Sequence, residues 1–188
     1  FTYNDTNNQM TSSQTRNPSG EPLSSTSYEL GIDGQARAAS QTDLLTGSVT
    51  SFSYASNNQL QSSTTQRGGV VLSTATYEIG VDGQARIKSQ TDIVSGNVTS
   101  FSYDSKNNQM VSSQTVHSAT NTVISTSVYE LGVDGRSRIT TQTDTLTGNV
   151  TKFTYNDTNN QMTSSQTRNP SGELLSSTSY ELGIDGQA

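Results

Sequence analysis

The sequence predicts an all-β protein, made of tandem β-hairpin repeats of about 25 residues stacked into an elongated or spiralling sheet, solenoid-like or shell-like. Three observations carry this. Eight tyrosines, Tyr3, Tyr28, Tyr54, Tyr77, Tyr103, Tyr129, Tyr155 and Tyr180, follow one another at steps of 25, 26, 23, 26, 26, 26 and 25 residues, and no tyrosine stands outside the series. A fixed period of roughly 20–50 residues marks solenoids, propellers and arrays. Turn-forming pairs separate the tyrosine segments, and no segment has the 3.6-residue spacing of an amphipathic helix.

The strand assignment rests on residue type. Only 28% of the 188 residues are hydrophobic and 14% charged, while Ser and Thr supply nearly a third. So little apolar content often means disorder, but disordered chains are usually rich in charge or proline, and this chain has three prolines. Its non-turn positions are dominated by Thr, Val, Ile, Tyr and Phe, which fit a pleated, half-buried surface. Thin strands with a small core per unit follow.

Two kinds of half-repeat alternate. The first places Phe1, Phe52, Phe101 and Phe153 two residues before Tyr3, Tyr54, Tyr103 and Tyr155. The second places Leu30, Ile79, Leu131 and Leu182 two residues after Tyr28, Tyr77, Tyr129 and Tyr180. Residues two apart on a strand share a face, so each Tyr has one large neighbour beside it. An aliphatic residue also sits five positions before each Tyr that can be tested: Leu23, Val49, Leu72, Val98, Ile124, Val150 and Leu175. The expectation is continuous buried rows of Tyr, Phe and aliphatic side chains.

The turns are equally regular. Asp33-Gly34, Asp82-Gly83, Asp134-Gly135 and Asp185-Gly186 are hairpin signals, because Gly adopts the positive φ that tight turns need. Asn-Asn takes their place in the other half-repeat. Thr46-Gly47, Ser95-Gly96, Thr147-Gly148 and Ser171-Gly172 form a second set of breaks. One hairpin alone is too small to be stable, so stability is expected from neighbour interfaces, as in other arrays.

Residues 1–188 read as one continuous array. Residues 1–36 recur at 153–188 with one change, Pro22 to Leu174, so the chain is expected to be an excerpt of a longer one. Alternative folds are a β-propeller, whose blades take two half-repeats each, and tandem β-sandwiches built from pairs of 50-residue units.

The segment Gly96 to Met110, of the form Gly-x-Val-Thr-x-Phe-x-Tyr-Asp-x-x-Asn-Asn-Gln-Met, resembles the tyrosine–aspartate (YD, Rhs-type) repeat family. The Tyr-Glu-x-Gly-x-Asp-Gly-Arg/Gln segments, as at Tyr129 to Arg136, are similar to a slightly expanded version of it. The acidic residue after Tyr is replaced by Asn4, Asn156 and Ala55. The resemblance implies a β-sheet spiralling into a hollow shell, of the kind that encloses toxins.

Composition narrows the functions. A net charge of −6, with Lys and Arg scattered singly, argues against nucleic acid, which needs clustered positive charge. No apolar run reaches the length that spans a bilayer as a helix. The absence of Cys excludes disulfides and cysteine-ligated zinc.

No catalytic, cofactor-binding or metal-binding residues are assigned, and the chain is not expected to be an enzyme. The only histidine, His117, lies in a variable turn, so a Ser-His-Asp arrangement has no repeat equivalent. Glu29, Asp33 and Asp43 recur as Glu78, Asp82, Asp92 and as Glu130, Asp134, Asp144. Acids built once per repeat suit turns and solvated faces better than a catalytic pair, and they lie too far apart in sequence to point to calcium. Asn4, Asn97, Asn149 and Asn156 begin Asn-x-Thr sequons, possible glycosylation sites in an exported chain. The leading expectation is a structural scaffold of an extracellular or cell-surface fibre or sheath, associating with itself or with neighbouring repeats. Alternatives are an adhesin or glycan-binding stalk, reading cell-surface glycans through turns such as 66–70 and 116–122, and a wall segment of a toxin-encapsulating YD shell.

Overall fold

A computed structural model describes residues 1–181. Leu182 and the Asp185-Gly186 turn lie outside the described residues. The chain groups into two units, one of residues 1–96 and one beginning at Asn97.

The first unit has eight strands: β1 (Thr2–Tyr3), β2 (Met10–Arg16), β3 (Pro22–Leu30), β4 (Ala36–Asp43), β5 (Ser48–Tyr54), β6 (Leu60–Arg67), β7 (Val70–Ile79) and β8 (Ala85–Asp92). Each pairs antiparallel with the next in sequence. The second unit repeats this plan with β9 (Asn97–Tyr103), β10 (Met110–His117), β11 (Thr122–Leu131), β12 (Ser137–Asp144), β13 (Val150–Tyr155), β14 (Met162–Arg168) and β15 (Leu174–Ser179). Both units are all-β hairpin meanders, as the tyrosine period predicts. The pairing runs on from hairpin to hairpin within each unit. It is not broken into the four-stranded blades of a propeller or divided between the two sheets of a sandwich.

Every hairpin from a tyrosine strand slips register beside its Tyr. Tyr54 pairs with Leu60 while Ser53 pairs with Ser62, which leaves Gln61 as the extra residue of a bulge. The same slip leaves out Thr11, Ala39, Lys88, Val111, Thr140 and Thr163 opposite the other tyrosines. A second slip, at the far end of alternate hairpins, leaves out Leu23, Leu72, Ile124 and Leu175. These are four of the aliphatic residues that stand five positions before a Tyr. Bulges bend a strand and increase its twist, so the meander is curved at both ends of its strands.

The core is thinner than the expected rows of buried aromatics. Among the described residues Gly80 and Gly132 are buried, as are three residues with side chains, Ala75, Ser63 and Ser127, at 9%, 8% and 7% exposure, and no large side chain is fully enclosed. The register explains which residues these are. Phe52 pairs with Ser63 and Ser63 with Ala75. Likewise Phe101 pairs with Ser113 and Ser113 with Ser127. Small residues thus occupy the positions beside each Phe, on the face that also carries Tyr. Alternation is clear in β5 and β13, where Phe52, Tyr54, Phe153 and Tyr155 are partly covered and the residues between them exposed. Leu30, Ile79 and Leu131, expected to bury beside Tyr, remain 50%, 46% and 52% exposed because they end their strands.

Hydroxyl pairs supply much of the remaining cohesion. Thr50 and Thr65, Thr99 and Thr115, and Thr151 and Thr167 each join across neighbouring strands at 2.9 Å. On the opposite face Ser27 meets Ser40, and Thr76 meets Ser89, both at 2.8 Å. Such cross-strand pairs are the unit of sheet stabilisation.

The tight turn between β6 and β7 is the most demanding: Gly68 and Gly69 both have positive φ, 58° and 80°. A side chain at such a position costs about 1 kcal/mol per residue. Replacing both glycines by alanine is therefore expected to lower stability by about 2 kcal/mol, read as a drop in the urea midpoint at unchanged slope.

Candidate functional site: a ladder linking successive turns

One end of each meander carries the Asp-Gly and Asn-Asn turns alternately. In the first type only Gly takes positive φ, as at Gly34 with 75° and Gly135 with 77°. Gly31 N–H donates to the Gln35 carbonyl and Gly34 N–H to the Gly31 carbonyl. This is a type I turn closed by a left-handed residue, not a turn with two positive φ values. Asp33 caps it by accepting the Gln35 N–H at 3.0 Å. In the second type the second Asn takes the left-handed position: Asn8, Asn58, Asn108 and Asn160, with φ of 55–66°. Asn tolerates that conformation better than other non-glycine residues.

The residue after Tyr caps the Asn-Asn turn. Asp104, Asn4 and Asn156 each accept the N–H two residues on, at 2.8 Å. Ala55 cannot do so, and its turn is one residue shorter, closing by Asn58 N–H to the Ala55 carbonyl. The departure from the tyrosine–acid pattern at Ala55 thus coincides with a shorter turn in which that cap is not used.

Arginine connects these turns. Glu29 and Arg37 pair directly across the β3–β4 hairpin, and their side chains form an ion pair at 2.9 Å. Glu78 with Arg86 and Glu130 with Arg138 repeat it, each at 2.8 Å. Arg37 also donates to the Asn58 side-chain oxygen at 2.7 Å and lies 4.2 Å from the centre of the Tyr54 ring. Arg138 donates to Asn160 at 2.6 Å, lies 4.7 Å from the Tyr155 ring centre and reaches Asp157 at 3.5 Å. A cation over an aromatic face is attracted by the ring quadrupole.

Asparagine and glutamine extend the connection in both directions. The Asn58 oxygen accepts the Ile32 N–H of the preceding Asp-Gly turn at 3.1 Å, while Gln59 donates forward to the Gly83 carbonyl at 3.3 Å. In the second unit Gln109 donates forward to the Gly135 carbonyl at 2.9 Å, and Asn160 donates back to Asp134 at 2.7 Å. Gly31 and Gly132 stand where the incoming Asn lies against the backbone. The Asp33-Gly34 and Asp82-Gly83 turns are thus bonded to the Asn57-Asn58 turn between them, and the Asn107-Asn108 and Asn159-Asn160 turns to the Asp134-Gly135 turn, each two strands away.

The tyrosines are structural members of this arrangement. Tyr54 donates to the Ala38 carbonyl and Tyr155 to the Ile139 carbonyl, both at 2.7 Å. Burial, partly offset by the neighbouring arginine, raises both phenol pKa values. Tyr28, Tyr77 and Tyr129 meet Ser13, Ser63 and Ser113 at 3.0, 3.3 and 3.4 Å. Tyr3 is 49% exposed and Phe1 86% exposed at the start of the chain, and Tyr180 is 39% exposed beyond β15. Tyr155→Phe is expected to cost about 1 kcal/mol, the net worth of one hydrogen bond, measured by chemical denaturation.

The other end of each meander carries the Asp-x-x-x-Gly turns and the variable turns. Asp43 accepts the N–H groups of Leu45 and Thr46, Asp92 those of Val94 and Ser95, and Asp144 those of Leu146 and Thr147, at 2.9–3.1 Å. These backbone donors hold all three carboxyls below their usual value of 3.8. A depressed folded pKa gives stability that is present above the unfolded value and lost as pH falls through the folded one. Stability is therefore expected to be insensitive to these groups from pH 5 to 8 and to fall below about pH 4. Asp43→Asn, Asp92→Asn and Asp144→Asn combined should flatten that acid limb in pH-dependent urea melts.

The recurrent acids thus have structural partners. Among the described residues no group of three or more His, Asp or Glu converges as a metal site. Two of the sequons begin turns, at Asn4 and Asn156, whose side-chain oxygens accept turn N–H groups. Asn97 and Asn149 are partly covered at the start of β9 and just before β13. His117 ends β10, its ring 3.3 Å from the Thr120 hydroxyl. Sequence reasoning missed the arginines. Their signal is a Glu and an Arg eight residues apart around each Asp-Gly turn, three times over.

No protein-family model matches the chain, and no curated protein matches it. Among solved structures it is similar to a TcdB2-TccC3-TEV crystal structure, with 14% identity and a TM-score of 0.40 over 88% of this chain and 12% of that one. It is also similar to the Tc holotoxin pore of Photorhabdus luminescens, with 16% identity and a TM-score of 0.39 over 89% of this chain and 11% of that one. A porin-like protein from Bacteroides uniformis gives 15% identity and a TM-score of 0.48 over 94% of this chain and 84% of that one. The chain spans about an eighth of the TcdB2-TccC3-TEV chain it matches. No helix among the described residues is long and apolar enough to cross a membrane.

Proposed function

We propose that this chain is a structural repeat scaffold, a stretch of an extracellular or cell-surface fibre or sheath, and not an enzyme. The observation that carries this reading is the ladder itself. The recurring Glu, Arg, Asn and Asp side chains are spent on joining turns and strands, as Arg138 is between Glu130, Asn160 and Tyr155. Stability in such an array grows with the number of joined repeats. The Gly-x-Val-Thr-x-Phe-x-Tyr core supports a YD-type repeat. The pairing of like hairpins supports association with further repeats of the same kind. Electron microscopy of the native full-length protein tests the proposal. Long uniform filaments are the expected result. Closed hollow particles would overturn the fibre and favour the wall of an enclosing shell.

A further inference from the structure

Three hairpins turn on nearly the same sequence: Gly31-Ile32-Asp33-Gly34-Gln35, Gly80-Val81-Asp82-Gly83-Gln84 and Gly132-Val133-Asp134-Gly135-Arg136. All three Asp are exposed. Each accepts the backbone N–H two residues on, at 3.0, 3.0 and 3.1 Å. In each the Gly N–H after Asp returns to the carbonyl of the first Gly, at 3.0–3.1 Å. The space around these glycines is open, with nothing within 4 Å of a Cβ built on Gly34, Gly83 or Gly135.

What differs is the tie to the next turn. Asn160 donates to the Asp134 carboxylate at 2.7 Å. The equivalent oxygen of Asn58 goes instead to the Ile32 N–H and to Arg37. Among the described residues the Asp33 and Asp82 carboxyls accept only the cap of their own turn. Turns of almost one sequence are thus restrained differently at the carboxyl group.

We infer that Asp33 and Asp82 are sites of uncatalysed conversion to isoaspartate, and that Asp134 is protected from it by Asn160. The backbone nitrogen of Gly34 attacks Cγ of Asp33. The carboxyl OH leaves with the amide proton as water, and a succinimide ring closes. Water then opens the ring at the main-chain carbonyl of Asp33, and the chain continues through the former side-chain carbonyl. One water is released and one is taken up, so no oxidant, reductant or co-reactant is required. Glycine permits the attack because no side chain shields its nitrogen. The step runs through the protonated carboxyl, since a carboxylate has no good leaving group. At Asp134 the Arg136 N–H and then the Asn160 amide hold the carboxyl below its usual value of 3.8. Both bonds must also break before Cγ can swing onto the Gly135 nitrogen, and bonds to an ionised acceptor are the strong ones. An isoaspartyl link adds a methylene to the main chain and removes the carboxylate that caps Gln35 or Gln84. Those two turns therefore loosen as the protein ages, while the Asp134 turn keeps its shape.

This inference does not rest on the scaffold reading. The test is incubation of the folded 188-residue chain at neutral pH in heavy-oxygen water. Peptides covering each turn are then separated by chromatography, and the isoaspartate and its heavy oxygen are placed by fragmentation. Asp33 and Asp82 should convert about ten-fold faster than Asp134, the factor that one bond to a charged group supplies. Asn160→Gly keeps the left-handed turn open to its backbone and should bring Asp134 up to the rate of Asp33. The same incubation of the unchanged chain in urea removes the fold and should make all three rates equal, which tests the ordering without any variant. No isoaspartate at Asp33 or Asp82 in the folded chain, equal rates at the three turns before unfolding, or an unequal order that persists in urea would each overturn the inference.

Discussion

Gly132→Ala is expected to lower stability by about 2 kcal/mol, although alanine is an ordinary strand and turn residue. The added Cβ would collide with the Asn160 amide group. To make room Asn160 must leave, and with it go its bonds to Arg138 and to Asp134. Arg138 then keeps Glu130 and its longer contact with Asp157 but loses its shortest bond to the next turn. A double-mutant cycle separates this from a simple helix-or-strand preference. In Asn160→Gly the collision is absent, so Gly132→Ala should cost almost nothing more on that background, because residues in contact do not act additively. Equal costs in both backgrounds, measured by urea denaturation, would show that the turns are not coupled through this asparagine.

Phe101→Ala should be the other large loss, about 2–3 kcal/mol, below the cost of a fully enclosed phenylalanine because the ring is only partly covered. The register sets Phe101 in one row with Ser113 and Ser127, and Ser127 is buried, at 7% exposure. Removing the ring would wet that row and the Ser113–Tyr129 hydroxyl contact beside it. Phe1, 86% exposed, provides the contrast. Its replacement by alanine should change stability by less than about 0.5 kcal/mol, so the same residue type at two equivalent repeat positions should give opposite results.

Much of this architecture was legible in the sequence for a plain reason. Tyrosine spacing counts hairpins, and Asp-Gly or Asn-Asn marks where each hairpin turns, because only Gly and a few polar residues accept the left-handed conformation. The placement of Gly34, Gly83 and Asn58 follows directly. The bulges were not legible. Their extra residues, among them Ala39, Gln61 and Lys88, share no chemistry, since the slip is imposed by pairing and not by the residue that slips. Burial was overestimated from pattern because alternation reports which face a side chain takes, not whether another layer covers it. The Arg–Glu–Asn ladder was partly visible. Arg37 and Glu29 could have been paired by counting around the turn, but Asn58 is 21 residues from Arg37 and only the strand register brings them together.

The ladder also bears on how such a chain can change over generations. Asn58 bonds the turn behind it and Gln59 the turn ahead, so this Asn-Asn-Gln turn offers one half of a joint in each direction. A whole block of two hairpins, 49 to 52 residues between successive Phe-x-Tyr frames, can be copied or deleted and the severed ends will meet as they did before. Copy number is then free to drift without any compensating substitution. The recurrence of residues 1–36 at 153–188 with a single replacement, Pro22 by Leu174, is the trace such duplication leaves, and length becomes a heritable trait that can be tuned one block at a time.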